Sequence, residues 1–418
     1  MVFPSASECS SSQDAMALTY DYDLAIVGGG VVGATLAVAL RDSGLKIVVI
    51  EAESQSQAIE KGQAYVLHLS SSRIFADLGI WDQIVPDVEY FRQVRLSDAN
   101  CPHVVEFHPQ DLQAPVLGHV ATHQVLLKAL LDSLAFCDAV DWMCPTRVTC
   151  TQTDTHGVTI HLDTLGQAET PQALRVRLVV GADGARSQIR EQAGIRTRGW
   201  PYWQSCIVAT IEPEKFHNHT AYERFWPSGP FAILPVSKAH CRIVWTAPHA
   251  EAQALLALDD EAFAQALSKR YGSDMGSLRV VGPRFTFPAK LQHATCYVRP
   301  RLALVGDAAH SCHPVGGQGM NLGIRDAATL AEILITAQAQ GEDIGSLKVM
   351  KRYQRWRRRQ NFLSLSFTDI LNRTFSTGWL PIVWTRRFGL RVISGVRPLK
   401  VLVLKFMAGL TGQFPSLT

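Results

Sequence analysis

The chain has 418 residues, 47% of them hydrophobic, with 40 basic and 37 acidic side chains. Two or three domains with ample core fit this length, and the apolar share excludes disorder for most of it. A net charge of +3 gives no reason to expect nucleic acid, and nine cysteines without a C-x-x-C pair exclude a disulfide framework or zinc ribbon, which suits reduced thiols in a cytoplasmic protein.

Residues 1 to 20 open without a basic start or apolar run, and read as a disordered tail rather than a signal peptide. No segment has the eighteen or more strongly apolar residues of a membrane span; the best run, Leu24 to Leu40, contains four glycines. Residues 23 to 28 and 46 to 51 are short β-branched runs separated by a helix-length stretch, which predicts a βαβ unit with parallel strands. Between them Gly28-Gly29-Gly30-Val31-Val32-Gly33 matches G-x-G-x-x-G, where backbone can approach a pyrophosphate held at a helix N-terminus. Glu51 ends the second strand, placed to accept hydrogen bonds from an adenosine ribose and to repel a 2′-phosphate. The bland reading of the same run is a glycine-rich turn that tightens a strand–helix joint.

From about 57 to 135 helical pieces alternate with polar loops. Strand signals return at 158 to 162 and 175 to 183, the second ending in Gly181-Ala182-Asp183-Gly184 with Arg186 and Ser187 beyond. Residues 204 to 290 alternate as an antiparallel sheet does, and 301 to 307 return to a buried strand ending in Gly306-Asp307. A Pro/Gly loop then leads into a helix from about Gln318 to Gln338 whose free N–H groups would face an electron-rich ring or an anion. The tail from 348 reads as helical, broken near Gly378, Pro381 and Pro398. Residues 351 to 405 hold thirteen Lys or Arg against one acid, Asp369, leaving 3 − 12 = −9 for the rest. In that tail Trp379, Trp384 and Phe388 interleave with Arg373, Arg386, Arg387, Arg391, Arg397, Lys400 and Lys405. The pattern fits an anionic membrane surface, and equally a solvated basic face whose apolar side packs on the nucleotide-binding domain.

Taken together, the Gly28–Gly33 run with Glu51, the Asp183-Gly184 turn with Arg186 and Ser187, and Gly306-Asp307 through His313-Pro314-Val315-Gly316-Gly317-Gln318-Gly319-Met320-Asn321-Leu322-Gly323 with Asp326 resemble the single-component FAD-dependent aromatic hydroxylases. Residues 223 to 236 (ERFWPSGPFAILPV) and Trp245 resemble the ubiquinone-biosynthesis hydroxylases among them, and the likeness covers most of residues 22 to 410. It implies an α/β fold with a Rossmann-like FAD-binding domain of the para-hydroxybenzoate hydroxylase type, built from 21–90, 118–200 and 291–345. An antiparallel β-sheet substrate domain (91–117 and 201–290) is inserted, and 346–418 form a helical C-terminal segment.

The resemblance also implies bound FAD, with NAD(P)H as a transient co-substrate because no second G-x-G-x-x-G is present. Gly28, Gly30, Val32 and Gly33 would meet the dinucleotide, with Glu51 on its ribose and Gln124 as a further contact. Asp183, Gly184 and Arg186 match the motif linked to both FAD and NAD(P)H. Gly306 and Asp307 would meet the ribityl chain, and Gly317, Gly319, Met320 and Asn321 the pyrimidine edge. Pro314 and Gly317, beside the flavin, are the candidate catalytic positions. The implied reaction is hydroxylation of a polyprenyl phenol in ubiquinone- or plastoquinone-type biosynthesis, with O2 activated as a flavin C4a-hydroperoxide. The implied location is cytoplasmic, with peripheral contact to the inner face of an anionic membrane and to other quinone-pathway enzymes. Alternatives are a related hydroxylase or reductase of a soluble aromatic or isoprenoid compound, a non-catalytic FAD-binding subunit of a membrane assembly, and a simple nicotinamide dehydrogenase.

Three departures from the family pattern stand out: Gln63 where Arg is frequent, Thr122-His123 where Glu-Asn is frequent, and Gly316 where alanine is commoner. His310 and His313 flank Cys312 without a ligand-spaced partner, so no metal is expected. Trp200, Trp203, Trp226 and Trp245 fit either a substrate wall or a core. Tyr202, Tyr222 and His240 are candidates to polarise a phenol hydroxyl, and Ser187 and Ser311 lack a paired base.

Overall fold

A computed structural model describes residues 19–99, 101–164, 172–272 and 274–417. The expected disordered tail lies outside the described residues except for its last two. The Val/Ile-rich strands Tyr22–Val27 and Ile47–Ile50 are buried along nearly their whole length, as in a sheet covered on both faces. They form the centre of a sheet ordered Val140–Met143, Ile47–Ile50, Tyr22–Val27, Gln172–Gly181, Leu302–Leu304, all parallel. The helix Val31–Leu40 makes the first crossover and packs against the helices His123–Asp132 and Gln318–Ala339. The ends of Tyr22–Val27, Gln172–Gly181 and Leu302–Leu304 lead into Gly28, Ala182 and the Gly306 turn, which brings the three motifs to one edge.

The second sheet has eight strands, with Leu278–Ala294, Thr197–Pro213, Cys241–Pro248, Gly229–Pro235 and Thr220–Trp226 joined antiparallel. Its two longest strands start at Thr197 and end at Ala294, somewhat outside 201 and 290. One junction is parallel: Thr220–Trp226 pairs with Gln93–Asp98, a strand contributed from far earlier in the chain and so not tied to it by a hairpin. Alternation gives this sheet two apolar faces. Phe231, Ile233, Ile243 and Trp245 bury against the helices His249–Leu256 and Asp260–Tyr271, while Ala221, Phe225, Ala232 and Val244 face the other way.

That other face is roofed by the C-terminal helices Leu380–Gly395 and Arg397–Met407, whose Leu390 and Leu404 join Phe375, Phe225, Val105 and Phe107 in one cluster. The C-terminal pair packs its apolar side on the second sheet and, where Gln318 donates to the Met407 carbonyl at 3.2 Å, also on the nucleotide-binding domain. The roof is fixed by charge: Asp98, at the end of Gln93–Asp98, accepts from Arg386 at 2.7 Å and Arg387 at 2.8 Å. Lys400 pairs with Asp111 at 2.8 Å. The Asp98 carboxylate and Arg386 guanidinium are both buried, so each needs the other. Asp98→Ala should cost about 3–5 kcal/mol in chemical unfolding, because it strands the Arg386 charge in the interior; a loss below about 1 kcal/mol would contradict this role for the pair.

Candidate flavin and substrate site

The glycines of the first motif have different jobs. Gly28 has φ +107°, and a Cβ there would lie 2.5 Å from the Ala182 carbonyl oxygen; one on Gly33 would lie 2.0 Å from that of Gly28. These two set the tight turn and the close strand–helix packing. A Cβ on Gly30 would meet nothing within 4 Å, and Gly30 lines a large cavity. Val32 packs beneath Gly306 and Gly323, coupling the first motif to the third. Glu51 accepts from the Gly29 N–H at 2.7 Å and the Glu53 N–H at 2.9 Å, which orients its carboxylate across the loop.

Asp183 accepts from the Ile189 N–H at 3.1 Å, while its Oδ1 is buried with no partner among the described residues. Burial pushes its pKa up, against opposing hydrogen bonds from Ser187 and Ile189. An unfilled acceptor beside an open glycine cradle fits a polyhydroxylated cofactor. Gly184 lines the cavity, and Arg186 is exposed on the turn outside its wall. Ser187 caps the Gln188–Gln192 helix through the Arg190 N–H, a structural role.

In the third motif, Asp307 is exposed to the cavity it lines, and the surrounding wall desolvates its carboxyl and raises its pKa. Its turn is anchored by Asp326, whose oxygens take Gly306 N at 3.1 Å, His310 Nε2 at 2.6 Å, Arg357 Nε at 2.7 Å and Asn361 Nδ2 at 2.9 Å. Burial alone would raise the Asp326 pKa, but His310 and Arg357 outweigh it and hold the carboxyl well below the usual range. Gly316 and Gly317, at φ +71° and +61°, bend the chain into the Gln318–Ala339 helix beside Pro314. A Cβ on Gly317 would sit 2.8 Å from Val66 Cβ. One on Gly316 would sit 2.6 Å from Met407 Cε, so the C-terminal helix occupies the space that an alanine methyl needs.

The Gly319 and Met320 N–H groups precede the first intrahelical bonds, and both residues line the cavity. The Asn321 side chain is otherwise engaged. It accepts from His68 N and Ser71 Oγ and donates to the Val66 and Gly317 carbonyls, all at 2.7–2.9 Å, clasping the loop to the Ala64–His68 strand. His68 and His313 are desolvated, and their pKa values are lowered to about 3, which leaves both rings neutral; His313 Nδ1 accepts from the Val315 N–H at 3.2 Å. Burial pushes the Cys312 thiol up to about 12, and no metal-holding group of three or more ligands occurs among the described residues.

The departures from the family pattern form a network of their own. Tyr65 Oη donates to Gln63 Oε1 at 2.5 Å and lies 3.1 Å from His123 Nδ1, and all three residues line the cavity. Gln124 is exposed on the first turn of the His123–Asp132 helix, outside the cavity wall; its neighbour His123 takes that position. None of the four tryptophans lines the cavity: Trp245 is core, Trp226 packs against that core, and Trp200 and Trp203 are exposed. Tyr202 is bound to Asp369 at 2.7 Å behind His313, and His240 closes a turn with Ser237, whereas Tyr222 does reach the cavity. Tyr65, Glu223, Arg242 and Met407, which no cofactor motif of the sequence marks, also line it. The cavity encloses about 810 Å³ and runs from Gly30 past Asp307 and Pro314 to the apolar face of the second sheet and its helical roof.

A G-x-G-x-x-G loop, an acid at Asp307 and an open helix start all border one largely apolar chamber, the arrangement of an FAD-dependent aromatic hydroxylase. A family model described as an FAD binding domain matches residues 21–361. The ubiquinone hydroxylase of Rhodospirillum rubrum is 40% identical over 390 residues, 93% of this chain and 89% of that protein. The mitochondrial ubiquinone biosynthesis monooxygenase of Homo sapiens is 33% identical over 442 aligned residues, 92% of each. In fold, the crystal structure of p-nitrophenol 4-monooxygenase from Pseudomonas putida is similar at a TM-score of 0.77 and 20% identity, over 92% of this chain and 98% of that one. The chain belongs to the FAD-binding monooxygenases and, within them, to the ubiquinone-biosynthesis hydroxylase family.

Because a methyl at Gly30 clashes with no protein atom, Gly30→Ala should leave unfolding stability within about 1 kcal/mol of wild type, the ordinary helix-end range. It should still weaken FAD binding by at least about tenfold in flavin-fluorescence titration, as backbone approach to the pyrophosphate is lost. Unchanged FAD affinity would show that the pyrophosphate does not pass over this loop.

Proposed function

We propose that the ring hydroxylated by this FAD-dependent monooxygenase belongs to a polyprenyl phenol on the way to a ubiquinone- or plastoquinone-type quinone, with NAD(P)H and O2 as co-substrates. The observation that carries this reading is the length and character of the cavity. Beyond Pro314 its wall is mostly Val, Leu, Ile, Phe and Met from the second sheet and from Leu390, Ile393, Val403, Leu404 and Met407 of the roof, with Tyr222, Glu223 and Arg242 set among them, which suits a hydrocarbon tail carrying a polar head.

FAD, when bound, supplies the electron transfer from NAD(P)H and the activation of O2. The chain would hold it through the Gly28–Gly33 backbone, Glu51 on the adenosine ribose, Asp307 on the ribityl chain, and the Gly319 and Met320 N–H groups on the ring edge. Asp183, Gly184 and the exposed Arg186 would serve FAD and the passing NAD(P)H together. Pro314 and Gly317 shape the turn against the reacting ring, and the apolar walls exclude water, which protects a reactive oxygen species from wasteful decay. In this reading the segments 91–117 and 201–290 with the helical tail make the substrate domain, and 21–90, 118–200 and 291–345 the FAD domain.

No helix among the described residues is long and apolar enough to cross a membrane. Leu380, Trp384 and Phe388 stand four residues apart on one helix face, 67–75% exposed, near the exposed Arg391 and Arg397. That face suits the surface of an anionic bilayer, and contact there with neighbouring pathway enzymes would give an insoluble substrate a short route into the chamber below. The purified chain supplied with FAD, NAD(P)H and a 2-polyprenylphenol should consume O2 in step with substrate, and under ¹⁸O2 should place one labelled oxygen on the ring. Product formed without O2 would favour a reductase, and absence of any substrate-dependent NAD(P)H oxidation would favour a non-catalytic subunit.

A further inference from the structure

Glu223 lies on the Thr220–Trp226 strand, opposite Ala232 on one neighbour and Leu96 on the other, with Val244 one strand further. Its side chain points with those of Ala221 and Phe225 into the apolar half of the cavity. Among the described residues it has no hydrogen-bond or ion-pair partner, and burial alone pushes its pKa up to about 8. The charged groups around it are committed elsewhere or distant. Arg95 pairs with Glu106 and Asp274, Arg224 donates to the Tyr271 carbonyl, and Arg386 in the roof is bound to Asp98. Arg242, two strands away on the cavity floor, also keeps an unpartnered Nε. Asp307, His68 and His123 lie at the cofactor end.

A carboxyl in an apolar wall without a partner is costly, and an apolar residue would fold there more cheaply. A ligand hydroxyl would relieve that cost. We propose that Glu223 is the catalytic residue that receives the ring hydroxyl of the phenol: it fixes the ring's orientation and takes the hydroxyl proton. In that step the phenol O–H bond breaks, its electron pair stays on oxygen as phenolate, and the proton forms a new O–H bond to a Glu223 carboxylate oxygen. The proton returns to the oxygen after the ring is hydroxylated. A carboxyl lifted from its ordinary range toward a phenol's own pKa of about 10 lowers the cost of such a transfer, and the phenolate is the more electron-rich ring. The assignment rests on the prenylated-phenol reading of the cavity.

The test is equilibrium binding of 2-farnesylphenol and its O-methyl ether to the FAD-loaded full chain, followed by perturbation of the flavin spectrum. Wild type should prefer the phenol by about tenfold or more, the range of one hydrogen bond to a charged group, and the preference should grow as pH rises through about 8, where the carboxyl ionises. Glu223→Leu should bind the ether as wild type does and prefer the phenol by less than about twofold. Glu223→Gln should keep part of the preference and lose its pH dependence. A Leu variant that keeps the full preference, or that loses both ligands equally, overturns the assignment while leaving the substrate reading intact. Wild-type protein that binds neither ligand overturns the substrate reading and this assignment with it.

Discussion

The Asp326 carboxylate accepts four donors in a site with no solvent access, and three parts of the chain meet on it. Gly306 and His310 come from the turn that carries Asp307, Asp326 from the Gln318–Ala339 helix, and Arg357 and Asn361 from the Leu347–Phe375 helix. A buried carboxylate is tolerable only when its partners are complete, so the turn, the helix and the next helix are fixed relative to one another or the interior holds an uncompensated charge. The cavity-lining loop from Gly306 to Gly317 inherits that rigidity. Asn321, one and a half turns before Asp326 on the same helix, extends it to the Ala64–His68 strand.

The same logic is used a second time at the roof. Asp98 and Arg386 bury opposite charges between the second sheet and the C-terminal helices, turning part of a very basic tail into a structural tie. The remaining basic and aromatic residues of that tail stay outside, so one pair of helices has an apolar inner face over the cavity and an amphipathic outer one. Met407 carries the coupling further. Its Cε fills the space beside Gly316, so the roof and the Pro314–Gly317 turn share a contact.

Motifs whose residues act within a few positions were legible in the sequence. The Gly28–Gly33 run, the Asp183-Gly184 turn and Gly306-Asp307 were readable because strand-end turns and helix starts are local, and the parallel order of their strands brings them to one edge. What depended on facing elements was not. At Gly316 the left-handed turn is local, but the contact with Met407 comes from roughly ninety positions on, and the neutral His313 follows from burial that only the assembled fold provides. The tryptophans of the second sheet could not be assigned because both of its faces are covered, one by helices and one by the cavity, so alternation does not say which face is which. Glu223 carried a usable sign, an acid between Ala221 and Phe225 at inward period-two spacing, but its meaning required knowing that this face is the chamber.

The central claim is that this fold holds FAD at the head of an apolar chamber, and the visible absorption spectrum of the purified chain with chromatography of the released cofactor tests it most directly. Flavin bands at about 370 and about 450 nm, with free FAD on denaturation, are expected. A chain that stays colourless after incubation with excess FAD would contradict the claim.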